Sequence, residues 1–198
     1  MDLDFIEIGT SNFDTLIEEC QDSARGISID AIQYYLDCLP NKKNVQKIHV
    51  ALTSNRTTDF IEVYYIPEDV IISNNLYAWF KGCNTIGKYH PLHIQHGVQS
   101  LVRIERVPLV NIDEFLLQYN VRKVKYLKID TEGHDCVILN GLFKYLESKD
   151  KQYYPDRILF ESNELTPSES VDRTIEHAIR IGYKVISRGY DTVIVLDV

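Results

Sequence analysis

Phe5-Ile6-Glu7-Ile8-Gly9-Thr10-Ser11-Asn12-Phe13-Asp14 is an apolar run with one acid inside it, closed by a glycine and followed by small polar residues. Leu3, Phe5, Ile6 and Ile8 suit a strand buried on both faces, as a parallel sheet requires. Gly9 lets the chain turn sharply without a Cβ. Ser11 or Asn12 is placed to cap a first helix over residues 12–24, through Asp14, Leu16 and Ile17. A strand, a tight turn and a helix start present backbone N–H groups to a ligand. In open α/β sheets the ligand crevice lies at the carboxyl ends of the strands. Glu7, near such an end, could accept hydrogen bonds from that ligand. An ordinary βα turn would carry the same residues, so the rest of the chain has to decide.

Outward from this stretch, strands and helices alternate. Gly26 separates the first helix from Ile27-Ser28-Ile29-Asp30, a short second strand ending in an acid. From Ala31 to Leu39 the apolar residues Ile32, Tyr35, Leu36 and Leu39 keep helical spacing, and Pro40 stops the run. Lys47-Ile48-His49-Val50-Ala51-Leu52 reads as a third strand. Asp59 to Ile66 adds a β-rich segment, and Gln99 to Leu109 another strand. Asn111 or Asp113 begins a helix with Phe115, Leu116 and Tyr119 facing inward. Val124 to Asp130 is the next core strand; a helix through Val137, Ile138, Leu142 and Leu146 follows Gly133. Arg157 to Glu161 is a further strand, and Ser168 to Ile181 a helix closed by Gly182. Tyr183 to Ser187 and Thr192 to Leu196 form an antiparallel hairpin about Arg188-Gly189-Tyr190-Asp191. The expected fold is α/β, a doubly wound and mostly parallel seven-stranded sheet with that hairpin at its C-terminal end. Residues 1–198 read as one domain with a long irregular insertion at about 67–98, of a length that marks a functional loop, a lid or a disordered segment.

A chain of 198 residues can bury a substantial core, and 44% hydrophobic with 25% charged residues is the balance of a soluble globular protein. The formal net charge of −8 argues against a nucleic-acid partner. Lys42-Lys43 with Lys47, and Arg122-Lys123-Lys125, are local basic clusters that read as solvated surface. Cys20, Cys38, Cys83 and Cys136 form no CxxC pair, which points to free thiols in a reducing compartment. No apolar run reaches membrane-spanning length and no signal peptide precedes the first strand, so a cytoplasmic protein without a membrane partner is expected.

Asp30 ends the second strand, where an acid is placed to bind ribose hydroxyls; capping the next helix is compatible with that. Glu7-Ile8-Gly9-Thr10-Ser11-Asn12-Phe13-Asp14-Thr15 resembles the first motif of FkbM-type methyltransferases. Val50-Ala51-Leu52-Thr53 is similar to their third strand, and Val110-Asn111-Ile112-Asp113-Glu114-Phe115 to the element before the fourth. Tyr126-Leu127-Lys128-Ile129-Asp130-Thr131-Glu132-Gly133-His134-Asp135, with Val137-Ile138-Leu139-Asn140-Gly141, resembles their most distinctive motif closely. The resemblance implies a class I, Rossmann-like methyltransferase using S-adenosylmethionine, in a family associated with hydroxyl oxygens of sugars or natural products. It implies that Gly9, Thr10, Ser11 and Asn12, flanked by Glu7 and Asp14, hold the methionine end of the cofactor. By the same resemblance Asp30 holds the ribose, Ala31 with Ala51 and Leu52 borders the adenine, and Asp130 stands near the transferred methyl. Ser11 stands where most class I members carry a second glycine, and its Cβ restricts close backbone approach. The loop also lacks phosphate-cradling spacing, which counts against a nicotinamide-dependent oxidoreductase. The chain starts without the helix that often covers a class I sheet edge, so a bare surface or a homodimer is expected there.

Methyl transfer to an alcohol needs alignment and a base; Asp130, His134 and Glu132 are the candidates. Asp130, Glu161 and Asn163, at neighbouring strand ends, would suit Mg²⁺, although loop caps or pocket lining explain Glu161 and Asn163 more simply and no metal ligand is assigned. His90, His93 and His96 read as loop or lid residues ahead of a metal set. Tyr77, Trp79 and Phe80 would either wall the adenine or acceptor or anchor the insertion. The expected function is S-adenosylmethionine-dependent O-methylation of a sugar or small-molecule acceptor. The alternative is an inactive scaffold that binds the cofactor or a protein.

Overall fold

In the computed structural model, which describes residues 1–197, two sheets share the chain. The chain-order elements of the first half are β1 (Asp2–Ile8), α1 (Leu16–Glu19), β2 (Gly26–Asp30), α2 (Gln33–Cys38), β3 (Val45–His49), β4 (Ala51–Thr53) and β5 (Phe60–Tyr65). The insertion supplies α3 (Glu68–Ser73), β6 (Thr85–Ile86) and α4 (Pro91–Gln95). The remainder is β7 (Arg103–Asn111), α5 (Ile112–Gln118), β8 (Lys123–Ile129), α6 (Asp135–Leu146), β9 (Arg157–Glu161), α7 (Ser168–Ile181), β10 (Tyr183–Arg188) and β11 (Asp191–Leu196).

The main sheet has seven strands in the order β10-β11-β9-β8-β1-β2-β3. β1 pairs in parallel with β2 and β8, and only β11 runs against its neighbours. This is the doubly wound α/β sheet with an antiparallel C-terminal hairpin that the alternation of elements predicts. Ile6, Ile8, Ile29, Leu127 and Ile129 face α5, α6 and α7 in the main apolar core. Phe5 faces the other way, onto Ile17 of α1 and Leu36 of α2. Gly26 is small because Phe5 needs the room: a Cβ there would lie 2.3 Å from its ring.

Three local expectations change. The helix predicted over 12–24 is a single turn, and its cap is Thr15 rather than Ser11 or Asn12. Ser11 and Asp14 take φ of 49° and 53°, and left-handed residues cannot continue a right-handed helix. The Thr15 hydroxyl accepts the Glu18 N–H and donates to the Glu18 carboxylate, a closed cap. The run Lys47–Leu52 is two strands, because β2 ends at Asp30 and offers no further partner; β4 turns away to pair with β7 in a second, four-stranded sheet. Residues 99–101 form a 3₁₀ turn ahead of β7, which runs on to Asn111.

The 67–98 segment folds as short helical pieces on its own apolar cluster of Ile66, Ile71, Phe80, Cys83 and Val98. The Tyr35 hydroxyl donates to the Lys81 carbonyl (2.9 Å), and the Lys81 ammonium sits 5.4 Å from the centre of the Phe13 ring. The insertion is thereby tied to α2 and to the loop after β1. All four cysteines are free thiols. Among the described residues no helix is long and apolar enough to cross a membrane.

Candidate active site

The carboxyl ends of β1, β2 and β8 meet at Gly9. Its N–H donates to the Ile29 carbonyl (2.9 Å), and the Asp130 N–H donates to the Ile8 carbonyl (2.9 Å). Gly9 has φ of +79°, and a Cβ on it would fall 1.8 Å from the Asp130 carbonyl oxygen. Only glycine fits where the three strands converge. The loop then folds back over β2: Ser11 N–H donates to one Asp30 oxygen (2.8 Å) and Ile32 N–H to the other (2.7 Å). Burial pushes the Asp30 carboxyl up to about 6, against the pull of those two N–H groups and the Thr10 hydroxyl.

Beside this loop lies a cavity of about 240 Å³. Ile29, Ala31, Ile32, Ala51, Leu52 and Val63 give it an apolar wall. Gly9, Thr10, Ser11, Asp14 and Asp30 form the polar edge, and Asp130, Thr131, Glu132 and Glu161 the acidic end. Gly82, Asn84, Thr85 and Ile86 of the insertion close one side.

The acidic end is built by two devices, the buried Asp135 and the turn at Glu132. Asp135 accepts from the Thr131 N–H (3.2 Å) and hydroxyl (2.8 Å) and from the Glu161 N–H (3.1 Å), pinning the loop after β8 to the end of β9. Glu132 has φ of 52°, a left-handed turn that swings its carboxylate toward its neighbours. Asp130, Glu132 and Glu161 then bring one oxygen each to within 4.8 Å of one another. Burial first, then the Asp135 and Glu132 charges, push Asp130 up to about 7. Burial and the Glu132 and Asp130 charges push Glu161 up to about 9.

The structure sorts the sequence candidates by place. Gly9, Thr10, Ser11, Asp14, Asp30, Ala31, Ala51, Leu52, Asp130 and Glu132 all line the cavity. Glu7, Asn12 and His134 are not among its lining residues. Glu7 is fully buried and committed to structure: it accepts from the Leu16 N–H (2.9 Å) and from the Lys128 ammonium (3.0 Å). Burial works against the Lys128 charge, yet Glu7 outweighs it and holds that pKa above the ordinary lysine value. His134 precedes α6 with no side-chain cap, and burial lowers its pKa. Asn163 turns inward on its own loop, donating to Glu161 and accepting the Leu165 N–H (2.9 Å). Phe80 is buried as an anchor of the insertion, while Tyr77 and Trp79 stay exposed, and none of the three lines the cavity. His93 is buried; His96 packs against Trp79; His90 faces Glu132.

Lys128, Asn84, Thr85 and Asp135 shape this site without having stood out in the sequence. Lys128 and Asp135 lie inside the 126–135 motif, where their charge inside a strand and at a helix start was the available signal. Asn84 and Thr85 carried none.

The residues present fit S-adenosylmethionine. Asp30 offers a buried carboxylate for hydroxyls beside an apolar wall, and the hydroxyl of Ser11, a lining residue, is buried with no hydrogen-bond partner. A comparison with curated proteins returns no match. The family model described as "Methyltransferase FkbM domain" matches residues 7–181, nearly the whole chain and every cavity-lining element named above. The chain therefore belongs to the FkbM methyltransferase family.

Proposed function

We propose that this protein transfers a methyl group from S-adenosylmethionine to a hydroxyl oxygen of a sugar or a small natural-product-like acceptor. Family membership supports methyl transfer. The observation that carries the oxygen acceptor is the carboxylate-rich end of the cavity, with Asp130 raised to about 7 beside the Gly9 loop. Methylating a hydroxyl releases a proton, and a base works best with a pKa near the working pH. S-adenosylmethionine, when bound, supplies a methyl group on a positively charged sulfur. The chain's own residues do the rest. Asp30 holds the ribose hydroxyls, and Ala31, Ile32, Ala51 and Leu52 exclude water from the base. Gly9 to Ser11 border the methionine end. Asp130 takes up the hydroxyl proton. Proximity between the two bound partners supplies much of the rate.

The test has two parts. Calorimetric titration with S-adenosylhomocysteine should show binding by the intact chain, weakened at least about tenfold, roughly 1.4 kcal/mol, in Asp30→Ala. A labelled-methyl screen over sugars and small polyols should then find an acceptor, with Asp130→Asn retaining cofactor binding but losing turnover. Absence of binding by the folded protein would overturn the reading. Binding without turnover on any hydroxyl acceptor would assign the fold to a non-catalytic, cofactor-binding role.

A further inference from the structure

We propose that Asp130, Glu132 and Glu161 hold one divalent cation of the oxygen-preferring class, Mg²⁺ or Mn²⁺, and that His90 is the positioning residue for Glu132. The use made of the cation rests on the methyltransferase reading; its binding does not.

Three carboxylates meet from two strand ends and one left-handed turn, with one oxygen from each inside a 4.8 Å span. Opposite ligands of an octahedral ion at 2.0–2.1 Å stand about 4.2 Å apart. Adjacent ligands of such an ion stand about 3 Å apart, so closing the cluster onto a cation draws each carboxylate oxygen inward by up to about 1 Å. Among the described residues none of the three acids forms an ion pair with a lysine or arginine. Lys128, two residues before Asp130, spends its ammonium on Glu7 (3.0 Å) and the Asp14 carbonyl (2.9 Å).

An acidic cluster alone would be solvated surface. Here a second feature is aimed at it. His90 is 2% exposed, and its Nε2 has no hydrogen-bond partner. That nitrogen lies 3.7 Å from Glu132 Oε2. The other ring nitrogen, Nδ1, accepts the Leu92 N–H (3.1 Å). In the neutral ring the proton therefore sits on Nε2, which makes it a donor and not a metal ligand. A buried N–H stopped just short of a carboxylate is how metal-binding acids are oriented from behind. Glu161 shows the same half-finished state: Asn163 donates to one oxygen, while Oε2 is buried without a partner. A cation between the carboxylates satisfies Glu161 and draws Glu132 into a fixed place under His90.

Three carboxylate oxygens favour Mg²⁺ or Mn²⁺ over softer metals. Such an ion lowers the pKa of a hydroxyl that coordinates it. Without the ion Asp130 takes up the acceptor's proton as proposed above; with the ion bound, the proton would leave to water and Asp130 would serve as a ligand. The insertion contributes His90 to this device, so the segment that closes the cavity also sets the cation site.

Mn²⁺ is the probe. Titration of the full chain, followed by calorimetry and by loss of the free-ion electron paramagnetic resonance signal, should saturate at one ion per chain. Glu161→Gln and Glu132→Gln should each weaken Mn²⁺ at least about tenfold while leaving circular dichroism unchanged. His90→Leu should weaken it about tenfold too, and His90→Gln, which keeps an N–H donor, should recover most of that loss. No Mn²⁺ binding below millimolar concentration, or binding equal in Glu161→Gln, overturns the site. Equal Mn²⁺ affinity in His90→Leu and the natural protein overturns the positioning role. The S-adenosylhomocysteine isotherm, run without metal, fails or succeeds independently, so the two readings are separated.

Discussion

Glu7 shows how a single residue changes meaning between sequence and structure. An acid near a strand end in a glycine-turn motif points to a ligand, yet its carboxylate is wholly buried between the Lys128 ammonium and the first N–H of α1. Removing one partner of a buried pair leaves the other charge uncompensated. Glu7→Gln should therefore cost ~3 kcal/mol of stability, measured as a lower urea midpoint. Cofactor affinity per folded molecule should be unchanged, because Glu7 does not line the cavity. Asp30, identical in charge and also at a strand end, faces the cavity, and one helix-side N–H and one loop N–H hold it there. Register, not face, separates the two acids: Glu7 pairs with Ser28, so Asp30 lies on the same side of the sheet but beyond the last residue of β1, where the cavity opens.

At the scale of elements, α1 is shorter than its sequence predicts but lies within the predicted segment. Its apolar residues Leu16 and Ile17 are legible, and Ile17 packs into the small core on that face of the sheet. Its start was not legible, since Ser11 and Thr15 are both good caps and only backbone conformation separates them. Thr15→Ala should cost ~1 kcal/mol, read as a lower urea midpoint with an unchanged slope. The split between β3 and β4 was equally invisible: Lys47 to Leu52 is a continuous β-rich run, and its division depends on β7, more than fifty residues later in the chain. By contrast, α7 with its left-handed Gly182 (φ 107°) and the closing hairpin follow local signals, and both lie where those signals place them.

At the scale of the whole molecule, the insertion determines the site's surroundings and part of its pH response. His93 is fully buried next to Phe80, and neither ring nitrogen has a partner. Burial, and then the neighbouring His90, push its pKa down to about 4. The unfolded chain binds that proton near the ordinary histidine value of 6.5, so between about pH 4 and 6.5 it holds more protons than the folded one. Stability from this group is complete above that window and falls as pH drops through it. His93→Leu cannot titrate. The variant's melting temperature relative to the natural protein should accordingly be more favourable at pH 5 than at pH 7.5. An equal difference at both values would remove His93 from the acid response.

The alternation of strands and helices, the closing hairpin, the glycine turn at Gly9 and the acids at the ends of β1, β2 and β8 were determined by the sequence alone. Each depends on near neighbours: apolar spacing, a missing Cβ, a turn residue. Tertiary structure decided which acids share a space. Asp130 and Glu132 are close in sequence, but Glu161 joins them only because β9 pairs with β8 and Asp135 ties the two ends together. His90 reaches Glu132 from an insertion that has no periodic signal of its own. Distances between carboxylates set their chemistry, and distance across a sheet is fixed by pairing, which no local pattern encodes.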